Sequence, residues 1–405
     1  MTDPYVIVGA GLSAAMAVEE LRTAGHDGEI IVFGSESHLP YERPPLSKGY
    51  LLGNDPIESA FPHDAQWYAD QQVELRPGTA VTAIDPAAHT VTAAGGVQPY
   101  AKLLLVTGAS PRRLAMADDS GAPTTYLRTI EDSDRIKRAI GAGSRVAIIG
   151  GGWIGLEVAA AARMAGCGVT VLESLELPLL RVLGPEMAQV FADLHREHGV
   201  DLRTTVSVTQ VRADGSTAVV QLENGDVVTA NLLVVGVGVA PNVDLAEAAG
   251  LEVDNGIVVD AQLRSSDPDV FAAGDVANAA HPVLGGHLRV EHWDNAIEQG
   301  RAAARSMVGL PVSYDRMPYF FTDQYDLGAE YVGHVAPGGH SQVVIRGDAA
   351  ERVLTAFWLD GDTVRAGMQV NDWDATDAIR GLVGTTVDPS RLGDASIPLA
   401  DVHTS

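Results

Sequence analysis

Gly9-Ala-Gly11-Leu-Ser-Ala14 and Gly150-Gly-Gly152-Trp-Ile-Gly155 decide the fold of this 405-residue chain. Each follows a short apolar run, Tyr5–Val8 in the first case and Arg145–Ile149 in the second. Each opens a helix-like stretch rich in alanine, Ala15–Leu21 being the first. Each then reaches a further apolar run, Ile30–Phe33 or Val169–Leu172, close to an acid, Glu36 or Glu173. The pattern predicts a βαβ unit that recurs about 140 residues later.

The spacing has a chemical reason. In G-x-G-x-x-G/A the first glycine allows a tight turn and the second lets the backbone approach a pyrophosphate. The small third residue keeps helix and strand close, while the helix N-terminus supplies N–H donors and a positive dipole. Gly9, Gly11 and Ala14 fit this pattern, and Gly150, Gly152 and Gly155 fit its stricter form, with Ile154 in the same turn. Glu36 stands 25 residues after Gly11, and Glu173 stands 18 after Gly155, where carboxylates accept hydrogen bonds from ribose hydroxyls. A carboxylate at Glu173 would also repel the extra phosphate of NADP, so NAD is the expected dinucleotide. A plain surface glutamate at a strand end would remove that preference but leave the nucleotide site.

Between the repeats, Leu103–Val106 leads to Thr107-Gly108, and Leu232–Val235 leads to Gly236-Val-Gly238. From about Tyr314 the texture changes. Tyr319-Phe320-Phe321 is aromatic, and Val343–Arg346 and Val353–Leu359 alternate as antiparallel strands do. The closing stretch Val387–Ser405 is polar with scattered prolines and is expected to pack as a loose tail. The predicted class is α/β, with two Rossmann-like dinucleotide-binding domains plus an α+β C-terminal domain. The expected boundaries are 1–112 with 243–316, then 113–242, then 317–405.

Composition narrows the functions. Twenty-seven basic against fifty-three acidic residues give a formal charge of −26, and no cluster of Lys and Arg is visible, so nucleic acid is not an expected partner. The longest apolar stretches, such as Ala101–Val106, stop far short of the ~20 residues of a membrane span. Met1-Thr-Asp-Pro runs straight into a strand with no signal-like segment, and the expected location is the cytoplasm. The single cysteine, Cys167, excludes dithiol chemistry and is expected to be a buried structural thiol. Neither a metal cluster nor a Ser–His–Asp set is apparent.

With both loops read, the chain resembles the FAD-dependent pyridine-nucleotide reductases, and within them the ferredoxin reductases of bacterial oxygenase systems. The resemblance covers nearly the whole chain. Its most specific element is Pro40-Tyr-Glu-Arg43-Pro44-Pro-Leu-Ser-Lys48, which stands where disulfide reductases carry redox-active cysteines. The resemblance implies a glutathione-reductase-like arrangement, with FAD on 1–112 and 243–316 and NAD on 113–242. It places Arg43 on the FAD pyrophosphate and Lys48 near the flavin N5, paired with Glu157. Thr107-Gly108 matches the family's "ATG" with Val106 replacing alanine. Asp267–Asp275 matches the second FAD signature, in which Gly274 precedes the Asp275 that binds the ribityl chain. Taken alone, Asp275 is simply a good helix cap. Glu291–Ala296 matches the opening of a helix facing the flavin ring, where Trp293 stacks, sits beside the nicotinamide, or serves only the core. Phe321 stands where relatives carry tryptophan; it can cover a flavin face but lacks the indole N–H.

The implied activity passes hydride from NADH to FAD, then single electrons to a [2Fe–2S] ferredoxin. That ferredoxin would feed a haem-thiolate monooxygenase or a Rieske oxygenase. Two alternatives share the flavin: an NADH oxidase or quinone reductase, and a redox-sensing flavoprotein resembling apoptosis-inducing factor. Residues Arg289, Arg301, Arg305 and Arg316 lie in a formally neutral stretch of an acidic chain. They either form a docking rim for an acidic ferredoxin or pair with neighbouring acids.

Overall fold

The computed structural model describes residues 3–336 and 338–403. The chain divides into two compact units. The first holds Met1–Arg43, Pro56–Ser110 and Val239–Pro318; the second holds Pro44–Asp55, Pro111–Gly238 and Tyr319–Ser405.

In the first unit the runs of β-branched and aliphatic residues become strands buried on both faces, as a parallel sheet requires. Val6, Ile7, Ile30 and Leu103 are wholly buried. Five strands form a sheet in the order Val270–Ala272, Lys102–Leu105, Tyr5–Val8, Ile30–Phe33, Val73–Arg76. All four pairings are parallel. The strand order reverses on either side of Tyr5–Val8, so the loop after that strand sits at the switch point where such sheets bind ligands.

The helix Leu12–Thr23 starts at that loop. Its C-terminus closes through Ala24 onto Gly25, whose φ of 85° is left-handed. The helix packs against a second helix, Trp293–Met307. Their approach is close enough that a Cβ at Gly300 would lie 2.5 Å from the Ser13 carbonyl oxygen.

The second unit repeats the scheme. Its parallel sheet runs Asp201–Arg203, Gly168–Leu172, Arg145–Ile149, Leu232–Val235, Thr124–Thr125. The helix Trp153–Met164 is twelve residues long, like its counterpart, and ends the same way, through Ala165 onto Gly166 at φ 85°. A helix, Ile130–Ala139, enters through a capping box between Thr129 and Asp132. Cys167 is wholly buried, with its Sγ hydrogen-bonded to the backbone of Gly141, as expected of a structural thiol.

The same unit contains a five-stranded antiparallel sheet, ordered Tyr319–Gln324, Leu327–Gly333, Thr363–Val370, Val353–Asp360, Gln342–Asp348. One face buries Ala356, Trp358, Met368 and Val370 against Phe191 and Leu194 of the helix Leu180–Glu197. The closing stretch is not loose over its described residues. Val387, Leu392 and Val402 are wholly buried, and the Arg346 guanidinium donates to the carbonyls of Leu392, Ala395 and Ile397. Charge on one strand thus satisfies carbonyls that no regular ladder reaches.

Candidate functional sites

The first glycine loop is built by steric necessity. Gly9 has φ +111°, and a Cβ there would stand 2.2 Å from the Val106 carbonyl oxygen, so only glycine fits. Its N–H donates to the Phe33 carbonyl, which ties the loop to the neighbouring strand. Gly11 is the N-cap of the helix, and no side chain caps it; no acid occupies the first turn. A Cβ at Gly11 would meet nothing within 4 Å. The orphan N–H groups of that turn thus have no side-chain cap and the helix dipole behind them, which suits a phosphate. Ala14 is wholly buried, as a small third residue should be.

Around this loop the first unit gathers most residues that the sequence points to. Glu36 accepts from the Arg43 guanidinium at 2.8 Å and from the Tyr41 hydroxyl at 2.5 Å. Burial alone would lower the Arg43 pKa, but the Tyr41, Glu36 and Asp275 charges outweigh it and raise it, so Arg43 is a fixed cation near Asp275. Thr107 and Gly108 form a turn clasped by Asn242. Thr107 Oγ1 donates to the Asn242 carbonyl at 2.8 Å, and Asn242 Nδ2 donates to the Thr107 carbonyl at 2.7 Å.

Gly274, at φ +75°, donates its N–H to Gln299 Oε1, and a Cβ there would strike Ser13 Oγ at 2.5 Å. Asp275 follows in the short turn Gly274–Val276 and does not cap an α-helix. Trp293 opens the helix Trp293–Met307, packs on Leu12, Ala15 and Met16, and donates its indole N–H to Glu42 at 3.0 Å. Burial raises the Glu42 pKa, partly offset by that indole bond. The unit thus presents a helix N-terminus and a cation for a pyrophosphate, and acids for sugar hydroxyls. That donor set fits FAD.

The second loop repeats the geometry closely. Gly150 has φ +104°, with a virtual Cβ 2.3 Å from the Gly236 carbonyl oxygen; Gly152 caps its helix without a side chain and faces open space. Gly155 is stricter than Ala14, since a Cβ there would lie 2.2 Å from the Gly150 carbonyl oxygen. Ile154 is exposed on the first turn. Glu173 binds the loop itself. One of its oxygens accepts from Gly151 N at 2.7 Å, and the other accepts from Leu175 N at 2.8 Å and Ser174 Oγ. Such charge-assisted bonds are each worth roughly 1.5–3 kcal/mol. This donor set fits a second dinucleotide.

Glu157, also on the helix Trp153–Met164, is buried and saturated with donors. Lys48 Nζ reaches its Oε1 at 2.6 Å, Thr322 Oγ1 the same oxygen at 2.8 Å, and Ser47 Oγ its Oε2 at 2.5 Å. The expected Lys48–Glu157 pair is present. Removing one partner would leave an uncompensated charge, at about 3–5 kcal/mol. Phe321 lies with its ring centroid 5.4 Å from Lys48 Nζ. Burial raises the Asp323 pKa, and Lys48 partly offsets that rise. Ser47 lies inside the Pro40–Lys48 stretch and Thr322 directly follows Phe321, yet nothing in the sequence marks either as the partner of a helix residue more than a hundred positions away.

The four arginines of the neutral stretch are paired. Arg289 meets Glu291, Arg301 meets Glu19 and Glu298, Arg305 meets Glu20, and Arg316 grips Asp294 through two bonds. Among the described residues no group of His, Cys, Asp and Glu could hold a metal ion, and no helix is long and apolar enough to cross a membrane.

Residues 3–300 match the pyridine nucleotide-disulphide oxidoreductase family, and residues 319–403 match the reductase C-terminal family. The chain is 43% identical over 403 residues to the ferredoxin–NAD(+) reductase component of the anthranilate 1,2-dioxygenase system of Burkholderia cepacia, covering 98% of each. It is 37% identical over 409 residues to putidaredoxin reductase of Pseudomonas putida, covering 99% of this chain and 96% of that protein. The reductase in the covalent putidaredoxin reductase–putidaredoxin complex superposes with a TM-score of 0.92 at 36% identity, over 98% of this chain and 97% of that one. Two glycine loops of one design, and relatives aligned from end to end, place this chain in the pyridine nucleotide-disulphide oxidoreductase family, in the branch that carries the reductase C-terminal domain.

Proposed function

We propose that this chain is an NADH-dependent ferredoxin reductase. Residues 1–112 and 243–316 would hold FAD, 113–242 would hold NAD(H), and 317–405 would form the C-terminal domain. When bound, the flavin would take a hydride from the nicotinamide and release its electrons singly; that chemistry belongs to the cofactor. The chain supplies placement and charge. Gly9, Gly11 and Ala14 open a helix N-terminus to one pyrophosphate, and Arg43 adds a cation. Glu36 and Asp275 hold the ribose and ribityl hydroxyls, and Thr107, Gly108 and Gly274 complete the FAD site beside them. Gly150, Gly152, Ile154, Gly155 and Glu173 do the corresponding work for NADH. Lys48, held by Glu157, is the ammonium assigned to the flavin's reacting nitrogen, and Trp293 and Phe321 are the aromatic groups assigned to its ring.

The observation that carries this reading is the pair of uncapped, glycine-built helix N-termini, in a chain aligned over nearly its whole length with ferredoxin–NAD(+) reductase components. The acceptor is taken to be a [2Fe–2S] ferredoxin serving a Rieske dioxygenase or a haem-thiolate monooxygenase, because one relative is the reductase component of a dioxygenase system and another forms a complex with putidaredoxin. The test is reduction of cytochrome c by the purified yellow protein with NADH, with and without added [2Fe–2S] ferredoxin. Strong dependence on ferredoxin is expected, with one FAD per chain. Rapid NADH consumption by oxygen alone, untouched by any ferredoxin, would overturn the acceptor assignment.

A further inference from the structure

A line of hydrogen bonds leads away from Glu157 Oε1, the oxygen that also holds Lys48 Nζ. Thr322 Oγ1 lies 2.8 Å from Glu157 Oε1, Gln324 Nε2 lies 3.0 Å from Thr322 Oγ1, and Gln324 Oε1 lies 2.8 Å from His195 Nε2. Tyr325 Oη stands 3.4 Å from His195 Nδ1. Glu157, Thr322, Gln324 and His195 are all at least 95% buried, and they come from two helices and one strand of the second unit. Water cannot substitute for a missing partner there.

The chemistry of the groups sets the direction of every proton. The Glu157 carboxylate that holds the Lys48 ammonium can only accept, so the Thr322 hydroxyl must donate to it. Having spent its one proton, Thr322 can only accept from Gln324, which turns the amide nitrogen toward it. The amide oxygen is then left facing His195, whose Nε2 must carry a hydrogen, with Nδ1 as the bare nitrogen. Reversing any one member would set two acceptors or two donors face to face in a dry interior, at the cost of an unsatisfied buried group.

We propose that His195, Gln324 and Thr322 are positioning residues: a one-way string of donors that fixes the Glu157 carboxylate and, through it, the Lys48 ammonium. This rests on the reading that Lys48 serves the flavin. His195 touches no proposed cofactor residue; it acts through Gln324. Removing its N–H would free Gln324 to rotate, let the Thr322 hydroxyl turn away, and leave the Glu157 carboxylate that holds Lys48 with one anchor fewer.

Two measurements on the flavin-loaded protein test this. The first is the imidazole 15N spectrum at pH 7, with the His195 signal identified as the one absent from H195Q. A protonated Nε2 with a bare Nδ1 is expected, and a protonated Nδ1 with a bare Nε2 would overturn the string whatever Lys48 does. The second is anaerobic stopped-flow reduction of the flavin by NADH. H195L and Q324L should lower the limiting rate about tenfold with the apparent NADH affinity unchanged. H195Q, which keeps an N–H donor in that place, should stay within about twofold of the native rate. Equal losses in H195L and H195Q would show that only packing matters, and native rates in H195L and Q324L would show that the string positions nothing; either overturns the proposal. K48A separates the two ideas. If K48A reduces its flavin at the native rate, the assignment of Lys48 fails, while the 15N result still stands or falls by itself.

Discussion

The two glycine loops share a backbone and differ in what their acids do. Gly9 and Gly150, Leu12 and Trp153, and Gly25 and Gly166 are all 141 positions apart, with matching φ signs and matching helix lengths. The register then slips. Four residues separate Gly25 from the strand at Ile30, but only one separates Gly166 from the strand at Gly168. Glu173 consequently follows its strand directly and reaches back to Gly151 N, whereas Glu36 lies three residues beyond its strand and is held by Tyr41 and Arg43. A fingerprint read as one motif therefore covers two kinds of support. In one loop the acid belongs to the turn; in the other it belongs to a cation that the turn does not contain.

The largest effect should come from breaking both loops in the same way. Gly9→Ala and Gly150→Ala each force a Cβ against a carbonyl oxygen at positive φ, a distortion costing several kcal/mol. Gly9→Ala should purify colourless and fail to retain added FAD. Gly150→Ala should stay yellow, with kcat/KM for NADH down at least ~100-fold, a loss of about 2.7 kcal/mol. Loss of flavin from both variants, followed by absorbance at purification, would show that the loops do not have separate cofactors.

A second contrast sets the buried histidine of the second unit against the rest of the molecule. Burial depresses the His195 pKa to about 4, below the ~6.5 of an unfolded chain. The unfolded state then binds the extra proton first, so stability is lost as pH falls from about 6.5 toward 4. Between pH 7 and pH 5 the urea unfolding free energy of the native chain should fall by roughly 2 kcal/mol more than that of H195Q. Parallel pH profiles for the two proteins would mean His195 is hydrated or already paired as a cation.

The smallest effect concerns the acids that separate the loops. Native protein should use NADH at least ~10-fold better than NADPH in kcat/KM, about 1.4 kcal/mol. Glu173→Ala should narrow that ratio and also weaken NADH use, because Gly151 N loses its acceptor. Glu36→Gln should leave coenzyme choice alone and loosen FAD retention several-fold in dialysis, because Arg43 loses its anchor. A change of coenzyme preference in the Glu36 variant would erase the distinction drawn between the two acids.

Much of this was legible from spacing. Tyr5–Val8, Ile30–Phe33, Arg145–Ile149 and Leu232–Val235 are strands with the bounds the sequence runs imply, because the interiors of buried parallel strands are apolar without interruption. The antiparallel strands proved longer than their alternating cores, Gln342–Asp348 for Val343–Arg346, since exposed ends carry no hydrophobic signal. The tail was misread because its order comes from three isolated apolar anchors and a distant arginine, none of which has a period. Gln299, Asn242 and Thr322 were invisible as site residues for a related reason: each acts by hydrogen-bonding a backbone or a carboxylate far away in sequence, and polar side chains of that kind look the same on a surface.

The order of strands in the second sheet has a practical result. Its outer strand, Thr124–Thr125, precedes the glycine loop, whereas the outer strand of the first sheet, Val270–Ala272, follows it. A fragment begun at Arg145 to isolate the second loop would include every residue of the fingerprint and its acid. It would also strip the cover from Leu232–Val235, baring a row of unpaired N–H and C=O groups on an apolar edge. Such an excised piece would recruit other chains in solution, so a workable dissection of this molecule has to begin upstream of Thr124.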